Sequence, residues 1–263
     1  MEGNICNNGR DEQEEMLSFD GVSYEDEKSV SLVDISFALY RGETLVVFGP
    51  ENSGVDIICP LVAGLITEYD GDIYYRKYQI RDFNYLDRYD YRKGLGYLQR
   101  NYGLINNMSV EENIALPLKY HSQLSTREIA DVVGTFISNL NLEHCRNLRP
   151  VDLRQSEALK TAYARSVIQN PDMLLVEHAM EGQCPINSLT FLKNLAMRTG
   201  DSDKTTLFVT FEPERFLDFA SKFLMLYNGN VVFEGCREDF LRQDNPYLKQ
   251  YLAMSLSGPM RIL

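Results

Sequence analysis

A short segment near residue 50 has the outline of a phosphate-binding loop. Residues 49–56 read Gly-Pro-Glu-Asn-Ser-Gly-Val-Asp and follow the apolar run 45–48. The P-loop motif G-x-x-x-x-G-K-[ST] places a lysine on the β- and γ-phosphates and a hydroxyl on Mg²⁺. Here the lysine position is Val55 and the hydroxyl position is Asp56. The frame of a nucleotide site is therefore present, whereas the groups that carry its chemistry are replaced.

The loop keeps part of a backbone cradle, because Gly49 and Gly54 are both present. Asn52, however, replaces a glycine where the backbone must approach phosphate closely. Two like charges ~4 Å apart at an effective dielectric constant of about 20 repel by about 4 kcal/mol, so Asp56 is expected to oppose a bound polyphosphate. We predict instead that Asp56 caps the N-terminus of the following helix and takes the role of the missing phosphate.

Composition excludes several classes of partner. The formal net charge is −12 and the sequence pI is near 4.8, which argues against nucleic acid or an anionic membrane surface. The chain has three histidines, and its five cysteines include no C-x-x-C pair, so we predict no metal site. No apolar run reaches the length of a membrane-spanning helix.

Strand and helix patterns alternate along the chain and predict an α/β fold. The runs 45–48, 173–176 and 207–210 are nearly all apolar, as expected for parallel strands covered on both faces. Apolar residues at helical spacing extend from about 109 to 166. The pair Asn228-Gly229 between two strand patterns predicts a two-residue hairpin turn.

This order of elements resembles the ATP-binding subunit of an ABC transporter over residues 16–235. The stretches that carry the resemblance are 42–65 around the loop, 94–118 with Gly-Leu-Gly-Tyr-Leu-Gln and Met-Ser-Val-Glu-Glu-Asn, and 164–177 with Asn-Pro-Asp-Met-Leu-Leu-Val-Glu. The C-terminal Asn-Pro-Tyr-Leu-Lys-Gln-Tyr-Leu and Ser-Gly-Pro segments resemble the extension of Mla/Mce phospholipid-transport ATPases, as does the string MSVEENIALPL.

The resemblance implies an ABC-type P-loop NTPase core, a mixed sheet with an antiparallel part, and a helical subdomain. The implied divisions are an acidic, disordered leader at 1–15, an α/β core at 16–98 and 167–235, a helical (signature) subdomain at 99–166, and a C-terminal extension at 236–263.

The other family motifs are altered at the positions that serve metal, water and phosphate. The Walker B aspartate corresponds to Glu177, the general-base glutamate to His178, and the switch histidine to Phe211. We expect His178 to be a packed structural histidine rather than a base. The D-loop reads Gln-Cys at 183–184 in place of Leu-Asp.

The signature motif also departs from Leu-Ser-Gly-Gly-Gln, because its last four positions hold bulkier or charged residues. These predicted interface residues are Arg154, Gln155, Ser156 and Glu157. Arg154 either pairs with an acidic group such as Asp56 of a facing subunit or is solvated. Gln99 keeps the Q-loop glutamine, and Tyr24 occupies either the adenine-stacking position or an exposed loop.

The resemblance and the lost groups together predict a pseudo-ATPase with no catalytic residue, cofactor or metal. Its expected place is the cytoplasmic side of the bacterial inner membrane, in a lipid-transport complex. The expected partners are a permease that docks in the Q-loop groove, a second copy or another ABC subunit, and other lipid-transport subunits. Two alternatives stay open: a divergent ATPase that binds ATP and Mg²⁺ and uses Glu177 and His178, and a soluble regulator that kept the fold.

Overall fold

The computed structural model describes residues 14–26, 31–184, 186–188, 191–193, 195 and 203–261. Its contacts divide the chain into two units, one made of Met1–Arg88 and Thr199–Leu263 and the other of Tyr89–Arg198. The predicted leader at 1–15 lies outside the described residues except for its last two. The first strand begins at Glu15, inside the predicted leader.

The first unit contains a four-stranded antiparallel sheet. Its strands are β1 (Glu15–Glu25), β2 (Ser31–Tyr40), β4 (Asp70–Tyr75) and β5 (Tyr78–Gln79), in the order β2-β1-β4-β5. Phe19 lies opposite Phe37 on one side and Ile73 on the other, and the two phenyl rings stack with their centroids 4.5 Å apart. The alternation of buried and exposed residues along β2 is that of a sheet with one face on a core.

A second group of strands in the same unit surrounds β3 (Thr44–Phe48). Its neighbours are β8 (Thr205–Thr210), β9 (Lys222–Tyr227) and β10 (Asn230–Cys236), in the order β10-β9-β3-β8. The central strand is parallel to β8 and β9, and β10 is antiparallel to β9. Every residue of β3 and β8 is buried, as the apolar runs predicted for parallel strands.

The turn between β9 and β10 confirms the predicted hairpin. Asn228 has φ 48° and Gly229 has φ 74°, so both central residues are left-handed as the right-handed twist of the flanking strands requires. The helices associated with this unit's segments are α1 (Val55–Val62), α6 (Arg237–Arg242) and α7 (Pro246–Leu252), and α2 (Tyr85–Lys93) runs across the boundary between the units. Helix α1 packs against β8.

The second unit is mainly helical and confirms the helical pattern predicted from 109 to 166. It contains α3 (Val110–His121), α4 (Thr126–Asn139) and α5 (Gln155–Val167), together with the parallel strands β6 (Leu95–Leu98) and β7 (Met173–Glu177). Helix α3 packs on both α4 and α5, and α5 packs on β6. Ser109 and Ser125 each begin a helix with a reciprocal capping box, which satisfies two backbone donors at each helix start.

The unit boundaries fall at 88 and 198, whereas the predicted core was interrupted from 99 to 166. In the structure β6 and β7 therefore group with the helices, and the predicted domain boundaries stay a prediction. None of the helices in the described part of the chain combines the length and apolar character needed to cross a bilayer.

Candidate functional site

The two glycines retained in the loop at 49–56 are required by the protein's own packing. A Cβ atom on Gly49 would lie 2.2 Å from the carbonyl oxygen of Leu226. One on Gly54 would lie 2.7 Å from the carbonyl oxygen of Ser31, and Gly54 also has φ 95°, which side chains disfavour. Asn52, by contrast, is exposed at φ 60°. The loop therefore has glycine at the two positions where the backbone of other segments leaves no room for a side chain. At the exposed position 52 it has asparagine instead.

Two hydrogen bonds from distant parts of the chain hold this loop. The hydroxyl of Tyr251, from α7, donates to the carbonyl oxygen of Gly49 at 3.1 Å, and the N–H of Gly229 donates to the carbonyl oxygen of Ser53 at 3.0 Å. Tyr251 also lies 2.9 Å from the carbonyl oxygen of Phe211, at the switch position, so its one proton is shared between two acceptors. Burial raises the pKa of the Tyr251 phenol, which keeps it a donor.

The start of α1 corrects the predicted capping role of Asp56. Gly54 is the N-cap residue and provides no side-chain cap, while Asp56 lies in the first helical turn and is half-buried. An anion in the first turn still interacts favourably with the helix dipole. Val55, at the lysine position, is fully buried. The first turn thus carries a negative charge and a hydrocarbon where a nucleotide site needs a cation and a hydroxyl.

The C-terminal extension packs on the first unit. The ring of Tyr251 lies 5.5 Å from the ring of Phe48 at the end of β3. The buried amide of Gln250 accepts a hydrogen bond from the N–H of Met260 at 2.7 Å and donates to its carbonyl oxygen at 3.0 Å and to that of Ser255 at 3.2 Å. These bonds close the segment after α7 into a fixed loop.

In the second unit, the Walker B carboxylate is engaged by a neighbouring strand. Glu177 is the last residue of β7, and the hydroxyl of Tyr97 from β6 donates to its Oε2 at 2.7 Å. The pairing of β6 with β7 places these two side chains near each other. A carboxylate that accepts a phenol in this way has a structural use that does not involve a metal ion.

His178 is packed within its own unit, close to a carboxylate. Its side chain is buried, its φ is 45°, and its Nδ1 lies 2.6 Å from Oε1 of Glu181. Glu181 also pairs with Arg100 at 2.8 Å. The residue at the general-base position is therefore enclosed by its own unit, and its Nδ1 is directed to a carboxylate.

The Q-loop residue Gln99 follows β6 in a tight turn, in which its carbonyl oxygen accepts from the N–H of Tyr102 at 2.9 Å. Arg165 of α5 donates to the carbonyl oxygens of Tyr102 at 2.9 Å and Gly103 at 2.8 Å, and burial lowers the pKa of its guanidinium. The phenol oxygen of Tyr102 accepts from Nε2 of Gln183 at 2.9 Å. The Q-loop and the D-loop position are thus joined within one unit.

The four predicted interface residues differ in exposure, and Ser156 is half-buried. Arg154 and Gln155 are exposed, and the Gln155 amide donates to the carbonyl oxygen of Glu181 at 3.0 Å. Glu157 is buried instead: its Oε1 lies 2.8 Å from Nε2 of His144, and its Oε2 accepts from the N–H of Arg154 at 2.9 Å. Burial opposes its ionisation, but these hydrogen bonds outweigh it and lower the pKa of Glu157.

Tyr24 lies in a strand rather than in a loop. It is half-buried within β1, opposite Leu32 of β2. Four residues that hydrogen-bond to the motif segments were not identified from the sequence: Tyr97, Tyr102, Arg165 and Tyr251. Each of them bonds to a residue far away in the chain, and local sequence patterns do not indicate such contacts.

Comparison with known proteins decides the family. The family model described as ABC transporter matches residues 32–180, which is more than half of the chain. The chain belongs to the ABC transporter family. The resemblance inferred from the loop and strand motifs is therefore confirmed.

The chain is similar to ATP-binding proteins of ABC transporters that carry different cargoes. The intermembrane phospholipid transport ATP-binding protein MlaF of Haemophilus influenzae is 24% identical over 229 residues, covering 87% of this chain and 86% of that protein. The methionine import ATP-binding protein MetN of Campylobacter jejuni is 25% identical over 244 residues, covering 87% of this chain and 73% of that protein. Since the two identities are nearly equal, they do not select a cargo.

Solved structures confirm the predicted ABC fold. A dimeric ATP-binding cassette, MJ0796, bound to ADP and Pi superposes with a TM-score of 0.77 at 20% identity, covering 84% of this chain and 99% of that one. The cbiO1 protein of Clostridium perfringens, part of the cbiONQ transporter complex, gives 0.76 at 17% identity, covering 91% and 96%.

Proposed function

We propose that this ABC family member is a pseudo-ATPase, an ATP-binding-subunit homologue that acts as a structural or regulatory part of a membrane transport complex. The observation that carries the proposal is the position of Asp56 in the first turn of α1, where the motif requires a hydroxyl on Mg²⁺. Repulsion of about 4 kcal/mol between this carboxylate and a phosphate corresponds to nearly a thousandfold loss of affinity.

The contacts of two retained glycines and two replaced motif residues support the same conclusion. Gly49 and Gly54 are explained by close contacts with the protein's own backbone, Glu177 accepts from Tyr97, and His178 faces Glu181. These four positions therefore have contacts within the protein that need no nucleotide.

A cleft in the second unit supports docking of a permease. The cleft has a volume of about 320 Å³, and its basic lining residues are Arg92, Lys93 and Arg165, with His121 beside them. No aspartate or glutamate is among the described residues that line it, although Asp90 and Asp172 line an adjoining pocket that shares Lys93 and His121. A cationic cleft on an acidic protein suits an acidic helical loop of a membrane subunit.

The proposed complex is a lipid transporter of the Mla/Mce kind, on the cytoplasmic side of the bacterial inner membrane. The C-terminal segment, which resembles the extension of Mla/Mce ATPases and packs on the first unit, supports this cargo, whereas overall identity does not distinguish MlaF from MetN. We propose that the chain dimerises, as ABC cassettes do, with itself or with another ABC subunit. Pairing with an intact ATPase would spoil both composite sites, because the chain contributes an altered loop to one and an altered signature to the other.

Isothermal titration with Mg-ATP tests the pseudo-ATPase proposal. We expect a Kd weaker than about 1 mM for the wild type. The variant Asp56→Ser should bind measurably more tightly than the wild type, whereas Glu51→Ser, which removes an exposed carboxylate from the same loop, should not. Sub-millimolar binding to the wild type, together with Mg²⁺-dependent hydrolysis, would favour the divergent ATPase instead.

The transport role is tested separately by affinity capture of the tagged chain from detergent-solubilised native membranes. Co-purification of a permease, lost on charge reversal Lys93→Glu but kept in the exposed-site control Lys119→Glu, supports docking in the cleft. Recovery of the chain alone from the soluble fraction would favour a regulator that has left the transporter.

A further inference from the structure

Three side chains of different donor type meet beside the start of α5. His144 and Cys145 lie in the short 3₁₀ turn Glu143–Cys145, and Glu157 lies in the first turn of α5. One potential ligand atom from each lies within 4.8 Å of the other two. Among the described residues this is the group that brings histidine, cysteine and a carboxylate together.

The carboxylate of this group is fixed in place. Oε2 of Glu157 accepts from the N–H of Arg154, so Oε1 is directed at Nε2 of His144, 2.8 Å away. The Cys145 side chain is a free thiol that is only 1% exposed, and its Sγ lies 3.3 Å from the carbonyl oxygen of Leu142. These hydrogen bonds therefore hold Glu157 and Cys145 in place in the metal-free protein.

We propose that His144, Cys145 and Glu157 form a binding site for a divalent transition-metal ion, with Zn²⁺ as the best match. Imidazole nitrogen, thiolate sulfur and carboxylate oxygen are the three ligand types that Zn²⁺ accepts. Mg²⁺ and Ca²⁺ prefer oxygen ligands alone, so the mixed set selects against them.

The geometry needs only a small adjustment. In a tetrahedral zinc site with these ligands, neighbouring donor atoms stand about 3.3–3.6 Å apart. The nitrogen and oxygen here must separate slightly, and the sulfur, which lies within 4.8 Å of both, must approach by at most about 1.5 Å. The His144 side chain is 63% exposed, so it can rotate, and the open side leaves the fourth position to water or to a group from another molecule.

Binding of the ion has a defined proton balance. The metal takes the place of the Nε2 proton in the hydrogen bond between His144 and Glu157, so the neutral imidazole carries its proton on Nδ1 instead, and the Cys145 thiol releases its proton to solvent as it becomes a thiolate ligand. Because binding releases a proton, metal affinity should increase as pH rises from 6 to 8.

The site is independent of the proposed transport role, because none of its three residues lines the cleft proposed for the permease and the site uses no nucleotide. A bound ion would tie the turn at 143–145 to the first residues of α5. The altered signature position Glu157 would then be a metal ligand rather than part of a composite ATP site.

Metal titrations of the full-length protein test the proposal. Co²⁺ is added first, because thiolate coordination produces a sulfur-to-cobalt charge-transfer band, and Zn²⁺ then displaces it in competition with a chromophoric chelator. We expect one equivalent of Zn²⁺ and a charge-transfer band in the wild type. Cys145→Ser should abolish the band, and His144→Ala should weaken Zn²⁺ binding at least about tenfold.

Matched controls separate this site from general binding to surface thiols and histidines. Cys184→Ser removes an exposed free thiol and His121→Ala another histidine of the same unit, and both should leave the band and the affinity unchanged. Melting curves in chelator verify that each variant is folded, and His144→Ala is decisive because that side chain is largely exposed. Unchanged Zn²⁺ binding in folded His144→Ala, or wild-type binding no tighter than millimolar, would overturn the proposal.

Discussion

The hydroxyl of Tyr251 lies 3.1 Å from the carbonyl oxygen of Gly49, so the C-terminal extension holds the first residue of the loop that cradles phosphate in active relatives of this fold. The same hydroxyl lies 2.9 Å from the carbonyl oxygen of Phe211, where the family motif has the switch histidine. One buried phenol thus joins two altered nucleotide motifs to a segment outside the core.

Replacing Tyr251 with phenylalanine should lower the free energy of unfolding by about 1–2 kcal/mol. The change keeps the ring packed on Phe48 but removes the donor to the carbonyl oxygens of Gly49 and Phe211. Urea denaturation followed by circular dichroism measures the difference. Tyr247→Phe is the matched control, since Tyr247 lies in the same helix and packs its ring on Tyr227. Equal effects from the two variants would mean that the hydroxyl of Tyr251 contributes nothing specific.

The same pair predicts a pH dependence with a defined sign. An unfolded tyrosine ionises near pH 10, while burial raises the pKa of Tyr251 in the folded protein. Between these values the folded state binds more protons than the unfolded state, so the contribution of Tyr251 is complete below about pH 10 and is lost as pH rises. The stability advantage of the wild type over Tyr251→Phe should therefore be constant from pH 7 to 9 and shrink above about 10. An advantage that grows with pH would contradict the assigned burial.

Local patterns in the sequence were sufficient for the fold but not for the contacts at the site. The hairpin was predictable because Asn-Gly is favoured where both central residues have positive φ, as Asn228 and Gly229 do. The bond between Tyr251 and Gly49 joins residues 202 positions apart, and no periodicity or motif encodes such a pairing. The family resemblance was confirmed because it depended on collinear elements rather than on single contacts.

Motif residues were also ambiguous in a way that only the structure resolves. The sequence cannot distinguish a glycine that lets phosphate approach from a glycine that lies against a neighbouring carbonyl oxygen. Gly49 lies against the carbonyl oxygen of Leu226. Asp56 illustrates the limit of helix-end signals, because the helix begins one residue before it and Gly54 takes the cap position. Likewise, Glu157 was predicted to face a partner, but it is buried and its Oε1 lies 2.8 Å from Nε2 of His144.

Replacing Gln250 with leucine should loosen the end of the chain without unfolding the first unit. The amide makes hydrogen bonds with Met260 and Ser255, and leucine of similar size leaves those backbone groups without their partner. If the local opening of this segment becomes easier by about 1.4 kcal/mol, its amide hydrogens exchange about tenfold faster. We expect at least that acceleration for the amide hydrogen of Met260 in hydrogen-exchange measurements. Lys249→Leu, at an exposed position of the same helix, is the control, and equal exchange in both variants would argue against a fixed tail.

Restoring a glutamate at the general-base position should fail to restore hydrolysis and should destabilise the protein. In His178→Glu a carboxylate is placed where Nδ1 now lies 2.6 Å from Oε1 of Glu181. Like charges ~4 Å apart at an effective dielectric constant of about 20 cost about 4 kcal/mol, and protonation of one carboxylate relieves them. The variant should therefore be less stable than His178→Gln at pH 7, with a difference that narrows as pH falls toward 5. Glutamine has the same length without the charge, so the comparison isolates repulsion from the loss of the imidazole.

Phosphate-release assays on both variants should match the wild-type background, because Val55 and Asp56 are unchanged in the loop. Hydrolysis gained by His178→Glu alone would show that the loop still binds Mg-ATP and that His178 was the single obstacle, which is incompatible with a pseudo-ATPase whose first helical turn carries its own anion.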